Sequence, residues 1–230
     1  MGSSMMPNTE FDLYIKSNVT VLKSRAIDLL LSKLRDKNTN CAEFTFYGDR
    51  LMRILAEESL AHIPAVRGGE VITPCGSLTG LIDYRDKIIC VVSIQRSGDI
   101  LQEAVRTILP GIGIGKILVQ RDESSPEKNP VYYYKNFPKN ISDCYVILAD
   151  PMLATGGSVK VAISVLIEAG VSESNIMFIN LICCPEGLRS LKDAYPNVKV
   201  VTCCIDKCLN EHKYIVPGLG DYGDRYYGTG

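Results

Sequence analysis

Asp150-Pro151-Met152-Leu153-Ala154-Thr155-Gly156-Gly157-Ser158 follows the apolar run Tyr145-Val146-Ile147-Leu148-Ala149 and leads into an amphipathic segment that begins at Val159. The order is strand, loop, helix start, and its reading decides the fold. Gly156 and Gly157 let the backbone turn tightly and approach a ligand with no Cβ in the way. The amides at a helix N-terminus have no intrahelical acceptor and point at an anion. Thr155 and Ser158 add hydroxyl donors. Asp150, at the carboxyl end of the strand, would repel a phosphate unless it faces sugar hydroxyls or a metal. A phosphate, a ribose and Mg²⁺ are therefore implied together.

Outward from this stretch, the runs Ile88 to Ile94, Lys116 to Gln120, Ile176 to Cys183 and Lys199 to Ile205 are continuously apolar rather than alternating. That pattern belongs to strands buried on both faces of a parallel sheet. Between them, apolar residues recur at helical spacing. Leu51, Ile54 and Leu55 follow Tyr47, and Ile100, Leu101, Ala104, Val105 and Ile108 form a second stripe. Val159, Ala162, Ile163 and Leu166 form a third, closed by Gly170 as a helix cap, and Glu186 to Tyr195 a fourth. The alternation predicts an α/β fold, a doubly wound and mainly parallel central sheet flanked by helices, with ligands beyond the carboxyl ends of the strands. Gly111-Ile112-Gly113-Ile114-Gly115-Lys116 precedes a strand instead of following one, and no Ser or Thr follows its lysine. It reads as a flexible connection, not as a nucleotide-binding glycine motif. Residues 1–10 read as an expression-tag remnant with a disordered start, and 11–230 as a single domain. Residues 1–40 are read as an arm that packs on the domain or on a second subunit.

With 230 residues, 46% of them hydrophobic, the chain can bury a sizeable core. Its 25 basic residues nearly cancel 26 acidic ones, and no basic run appears, which excludes a nucleic-acid polymer as partner and favours a small anion. Nine cysteines, no C-x-x-C pair and only two histidines argue for a reducing, cytoplasmic setting without disulfides or structural zinc. No apolar run reaches the ~18 residues of a membrane span.

The nonapeptide resembles the 5-phosphoribosyl-1-diphosphate (PRPP) loop of phosphoribosyltransferases, and its Pro151-Met152-Leu153-Ala154 insert resembles that of the uracil phosphoribosyltransferases. The resemblance extends to Val92-Ser93-Ile94-Gln95-Arg96-Ser97-Gly98, to the run Gly115–Glu123 (GKILVQRDE) and to Ile215–Thr229 (IVPGLGDYGDRYYGT), spanning residues 41 to 229. It implies transfer of a phosphoribosyl group from PRPP to uracil, giving UMP and diphosphate in pyrimidine salvage. Mg²⁺ would arrive with PRPP, with no protein metal ligand. An N-terminal arm and a loop or hood over the site are implied as well. Homodimers or homotetramers, and GTP as an effector in some members, also belong to the resemblance, and no feature of the sequence decides either.

Breaking the bond from ribose C1 to diphosphate leaves an oxocarbenium-like sugar and a leaving group that gains charge, which positioned cations and donors stabilise. Arg96 follows a buried strand and precedes Gly98, a turn where its guanidinium and nearby amides could meet phosphate oxygens; on its residues alone it could equally be a surface arginine paired with an acid. Arg121 also ends a strand and could simply pair with Asp122 or Glu123. By resemblance, Arg96 and Arg121 bind diphosphate. Asp150, Pro151, Met152, Leu153, Ala154, Thr155, Gly156, Gly157, Ser158 and Asp221 complete the PRPP site, and Asp150, Arg96 and Asp221 form the catalytic set.

Tyr214 to Asp224, rich in glycine with one proline, fits a rigid loop whose main-chain groups can read the edge of a planar base. By resemblance, Ile215, Gly220, Asp221 and Tyr222 bind uracil. No residue stands out as a general base for uracil N1. His212 reads as a surface or packing histidine and His62 as a structural one. Residues 121 to 140, with Tyr132-Tyr133-Tyr134, read as a lid over the site or a subunit contact. Many relatives carry Arg-Ala-Gly where this chain has Arg96-Ser97-Gly98. Many phosphoribosyltransferases outside this branch also place two acids before the loop, where this chain has Ala149-Asp150. The rival reading is a catalytically inactive homologue that senses PRPP or a nucleotide on the same fold; retention of Asp150, the glycine pair and Asp221 counts against it.

Overall fold

The computed structural model describes residues 9–83, 88–121 and 130–230, with Thr9 and Arg121 described by their backbone alone. Helix α1 (Thr9–Asn18) leads to strand β1 (Val19–Val21), then to α2 (Arg25–Arg35) and α3 (Cys41–Ala61). A hairpin of β2 (Val66–Thr73) and β3 (Gly76–Asp83) follows, then β4 (Ile89–Gln95), α4 (Gly98–Ile108), β5 (Gly113–Arg121) and β6 (Pro130–Asn136). The second half runs β7 (Tyr145–Ala149), β8 (Met152–Leu153), α5 (Gly157–Glu168), β9 (Ile176–Cys183), α6 (Pro185–Ala194) and β10 (Lys199–Ile205). It closes with β11 (Cys208–Leu209), β12 (Ile215–Val216) and α7 (Tyr222–Tyr227).

The central sheet has the order β1-β10-β9-β7-β4-β5-β6, with β8 alongside β9. Every pairing in it is parallel except β5 with β6. Alternate strand residues feed two cores. Val91, Ile147, Ile179 and Val201 pack with Leu34 of α2, Phe44, Leu51 and Leu55 of α3 and Leu101 of α4. Val92, Leu148, Phe178 and Val200 pack with Ile163 and Leu166 of α5 and Leu188 of α6. The doubly wound α/β arrangement expected from the apolar runs is the one observed, and β7, β9 and β10 begin and end at the expected residues.

Three segments differ from expectation. Residues 1–40 are not merely an arm: β1 is the edge strand of the sheet, with Val19 opposite Val200, and α2 lays Leu30, Leu31 and Leu34 into the core. The start of α2 is fixed by Ser24, whose hydroxyl accepts from the Ile27 amide at 3.2 Å, and that of α3 by a capping box between Asn40 and Glu43. The glycine-rich stretch is a shorter connection than expected, because β5 already begins at Gly113. Gly115 lies within the strand, where a Cβ would come 2.9 Å from Val92 and 3.0 Å from Phe137, so its glycine serves packing. Finally, Pro130–Asn136, read as part of a lid or subunit contact, pairs antiparallel with β5 as the opposite edge of the sheet, leaving Tyr132, Tyr133 and Tyr134 exposed. Residues 122–129 of that proposed lid lie outside the described residues.

Candidate active site

Strands β4 and β7 are adjacent and parallel, so their carboxyl ends open on the same side, and the loops that follow them meet there. After β4 comes Arg96-Ser97, reached through a cis Gln95–Arg96 peptide. The Arg96 carbonyl accepts from the Asp99 amide and the Ser97 carbonyl from the Ile100 amide, closing a tight turn into α4. Gly98 brings α4 against β7: a Cβ there would sit 2.3 Å from the Ala149 carbonyl oxygen. Beneath the turn, Asp99 accepts from Ser93 at 2.6 Å, Lys116 at 3.0 Å and Gln95 at 3.3 Å, which fixes its approach to the sheet.

After β7, Asp150 stands at the floor of the cleft. Both of its hydrogen bonds end on Oδ1, from the Ser97 hydroxyl at 3.3 Å and the Met152 amide at 3.4 Å. Burial pushes its carboxyl up to about 7 against these two weak donors, and the charge of Asp221 adds to the rise. Met152 and Leu153 form β8 on β9 instead of a free loop, and the Leu153 side chain is fully buried, so Leu153 can offer a ligand only what its backbone leaves open, whereas Met152 is half-buried at the cleft. Pro151 is buried and turns its carbonyl to the Leu181 and Ile182 amides; it does not line the cleft. Gly156 takes φ +80°, the left-handed conformation that starts α5. The first-turn amides of α5 then border the cleft beside Thr155 and Ser158.

The third wall comes from the C-terminal region. Hairpin β11–β12 is followed by a cis Val216–Pro217 bond, Gly218 and Gly220 with positive φ, and Asp221, which caps α7 by accepting from the Asp224 amide at 2.9 Å. Gly220, Asp221, Tyr222 and Gly223 border the cleft, but the Tyr222 ring is not in it. That ring is fully buried, edge-on to Phe44 and stacked on Tyr226, so Tyr222 presents only its main chain. Arg96 reaches from the opposite wall to Asp224 at 2.7 Å and Thr229 at 3.2 Å, and lies 5.4 Å from the centre of the Tyr227 ring.

Together these walls enclose a cleft of about 760 Å³. It gathers Arg96, Asp150, Met152 to Ser158, Ile215, Gly220, Asp221 and Tyr222. Arg121 ends β5, but its side chain lies outside the described residues. His212 is exposed beside Glu211, in accord with its reading as a surface residue, whereas His62, read as structural, is exposed at the end of α3 with only its backbone N–H in the cap.

Gln95, Leu118, Gln120 and Lys213 also line the cleft, although no site role was read for them from the sequence, and two supports of the loop of residues 154–158 were missed as well. The Cys184 thiol donates to the Ala154 carbonyl at 3.2 Å. Gly187 of α6 lies so close that a Cβ would come 2.5 Å from the same oxygen and 2.8 Å from that of Leu153. Gly187→Ala is therefore expected to push the loop outward, costing about 1–3 kcal/mol of stability and raising the KM for a phosphate-bearing substrate about 10-fold. Urea unfolding and initial-rate kinetics measure the two effects.

A parallel sheet that presents a glycine loop opening a helix, a part-buried acid and an arginine turn at neighbouring strand ends defines the phosphoribosyltransferase class. The fold agrees with that of the adenine phosphoribosyl transferase of Trypanosoma brucei, at a TM-score of 0.54 and 14% identity, covering 89% of this chain and 88% of that one. It lies nearer to the AQ2163 protein of Aquifex aeolicus, with a TM-score of 0.76 and 27% identity over 92% of this chain and 98% of that one. Within the class, the uracil phosphoribosyltransferase family model matches residues 21–229, and the chain belongs to that family. A relative named uracil phosphoribosyltransferase, from Dictyostelium discoideum, is 46% identical over 92% of this chain and 97% of its own.

Proposed function

We infer that the protein is a pentosyltransferase that joins N1 of uracil to C1 of the ribose of PRPP, releasing diphosphate and forming UMP. The observation that carries this reading is the meeting, in one cleft, of the α5 anion cradle, Asp150, the Arg96 turn and the glycine-rich base loop. The cradle suits the 5′-phosphate, because amides without intrahelical acceptors and the Thr155 and Ser158 hydroxyls converge on it. Asp150 suits the ribose hydroxyls. Arg96, with Arg121, suits the diphosphate, whose charge grows as the C1–O bond breaks. Main-chain groups of Ile215, Gly220, Asp221 and Tyr222 suit the alternating donors and acceptors of uracil; a base with the wrong pattern would leave buried polar groups unpaired. The N1 proton is lost in the reaction, and no side chain is assigned to take it.

Among the described residues no cluster of three or more metal-ligating side chains is found, so Mg²⁺ would arrive bound to PRPP, with the Asp150 and Asp221 carboxylates bordering the same cleft. When bound, Mg²⁺ would neutralise part of the diphosphate charge. The same reading makes the protein a homo-oligomer. The β2–β3 hairpin stands apart from the main sheet with Ile72, Leu78 and Leu81 exposed, which supports a subunit contact there. Ile72→Asp with Leu81→Asp is expected to shift sedimentation to a smaller species, whereas an unchanged profile would remove the hairpin from the interface. Nine free cysteines support a reducing, cytoplasmic setting.

Formation of UMP from labelled uracil, PRPP and Mg²⁺, beside cytosine, hypoxanthine and orotate, tests the central reading. Turnover of uracil alone is expected. PRPP binding without turnover would favour a nucleotide-sensing homologue, a reading that retention of Asp150, the glycine pair and Asp221 opposes. GTP, carried by family resemblance alone, is tested by adding it to the same assay.

A further inference from the structure

The base loop has a front and a back, and the back is held by two arginines, Arg35 far from it in sequence and Arg225 on the helix that follows it. Gly220, Asp221 and Tyr222 face the cleft, whereas Gly218 and Leu219 do not border it. Arg35, the last residue of α2, makes a two-pronged bond to Asp206, at 2.7 and 2.8 Å, and also donates to the Gly218 carbonyl at 2.8 Å. Asp206 in turn accepts from the Gly218 amide at 2.9 Å. Both main-chain groups of Gly218 are thereby engaged behind the loop. Asp206 is buried, and the Arg35 guanidinium holds its carboxyl below the usual range despite that burial.

Arg225, on α7, does the same for the next residue. It donates to the Leu219 carbonyl at 2.7 Å, to the Asp36 carbonyl at 2.7 Å, to the Thr39 carbonyl at 3.4 Å and to the Leu34 carbonyl. Its guanidinium carbon lies 4.4 Å from the centre of the Phe44 ring. The carbonyls of Leu34 and Asp36 end α2, so one guanidinium bridges the helix end, the α2–α3 connection and the base loop. Its Cδ would lie 3.5 Å from a Cβ on Gly220, directly behind the residue that meets the cleft.

We propose that Arg35 and Arg225 are positioning residues for base recognition, and that the end of α2 is the back wall against which the uracil-reading loop is set. The inference rests on the uracil reading above and adds to it a role for the N-terminal helices. A planar guanidinium that donates in several fixed directions can orient a carbonyl row; an ammonium on a flexible stem cannot hold the same geometry. A loop held loosely still surrounds the base but places its groups off line, and the phosphate cradle on α5 lies outside this network.

Arg35→Lys and Arg225→Lys test the proposal, since each keeps the charge beside its acceptors while removing the fork. The KM for uracil is expected to rise about 10-fold in each, with the KM for PRPP within about twofold of wild type. The preference for uracil over cytosine is expected to narrow by a similar factor. A general loss of structure would move both KM values together. If Arg35→Lys does not fold, the pair Arg35→Met with Asp206→Asn removes both charges of that ion pair at once and is read in the same way. A wild type active on uracil, with an unchanged KM for uracil in all folded variants, would overturn this inference alone. A wild type inactive on uracil would overturn the substrate reading and this inference with it.

Discussion

Asp150→Asn is expected to lower turnover about 10²–10³-fold while raising the midpoint of thermal unfolding at pH 8 by about 4–8 °C. The two effects share one cause. In the folded protein, burial lifts the Asp150 carboxyl to about 7, and its two hydrogen bonds are long and share one oxygen. The fold therefore carries an ionised group at pH 8 that its own residues support poorly. The sign follows from linkage. A carboxyl whose pKa is raised on folding favours the folded state fully only below its unfolded value near 4, and loses that contribution as pH rises through 7. A carboxyl lifted that far above its unfolded value disfavours the fold at pH 8 by about 4 kcal/mol; asparagine also bears a desolvation cost, which leaves a gain on the order of 2 kcal/mol. The stability advantage of the variant should accordingly be larger at pH 8 than at pH 5.

The activity profile gives the complementary signal. A carboxylate that accepts from sugar hydroxyls must be ionised, so kcat/KM for PRPP is expected to climb between about pH 6 and 8 in the wild type. The asparagine variant should lack that limb, having nothing to titrate there. Calorimetric unfolding at the two pH values, together with the pH–rate profile, checks both halves. A variant that is no more stable than wild type, or that keeps its rate, would mean Asp150 is not the acid of the site.

How much of this was legible in the sequence depended on how many faces a segment buries. Strands β7, β9 and β10 have buried neighbours on both sides, so their residues are apolar without interruption and their limits could be read directly. The edge strands could not be read in this way. Val19–Val21 is too short for a period to register, and Pro130–Asn136 carries three exposed tyrosines because its outer edge meets solvent. The glycine loop of residues 150–158, proposed to hold the phosphate, was readable because its glycines and hydroxyls are adjacent in the chain. What supports it was not: Gly187 and Cys184 reach the loop only through the packing of α6. Arg35 meets Asp206 and Gly218, 171 and 183 residues away, and Arg225 meets Leu34 191 residues away, distances over which one sequence carries no pairing signal. Tyr222 fell between these cases. Its place beside the glycines put it in a loop that borders the cleft, yet its ring packs on Phe44 and only its backbone is left for a ligand.

Arg96→Ala is expected to lower kcat/KM for PRPP by about 10²–10³-fold, to leave the KM for uracil within about threefold, and to change the unfolding midpoint by less than about 2 °C. The small stability effect follows from exposure. The Arg96 and Asp224 side chains are 54% and 41% exposed, and ion pairs so open to water contribute on the order of 0–1 kcal/mol. That weakness matters for function, because an incoming diphosphate offers the guanidinium several charged oxygens in place of one carboxylate and can draw it away from Asp224 at little cost. Arg96→Lys should recover about 10-fold of the loss, supplying a cation without the fork. Asp224→Asn should leave kcat/KM within about threefold, since it removes a competitor of modest strength and no group that meets the substrate. Initial rates with each substrate varied separate these outcomes. An Arg96→Ala enzyme with normal PRPP kinetics would make the arginine a partner of the C-terminal helix alone, and the diphosphate would then depend on Arg121 and on the amides of the turn.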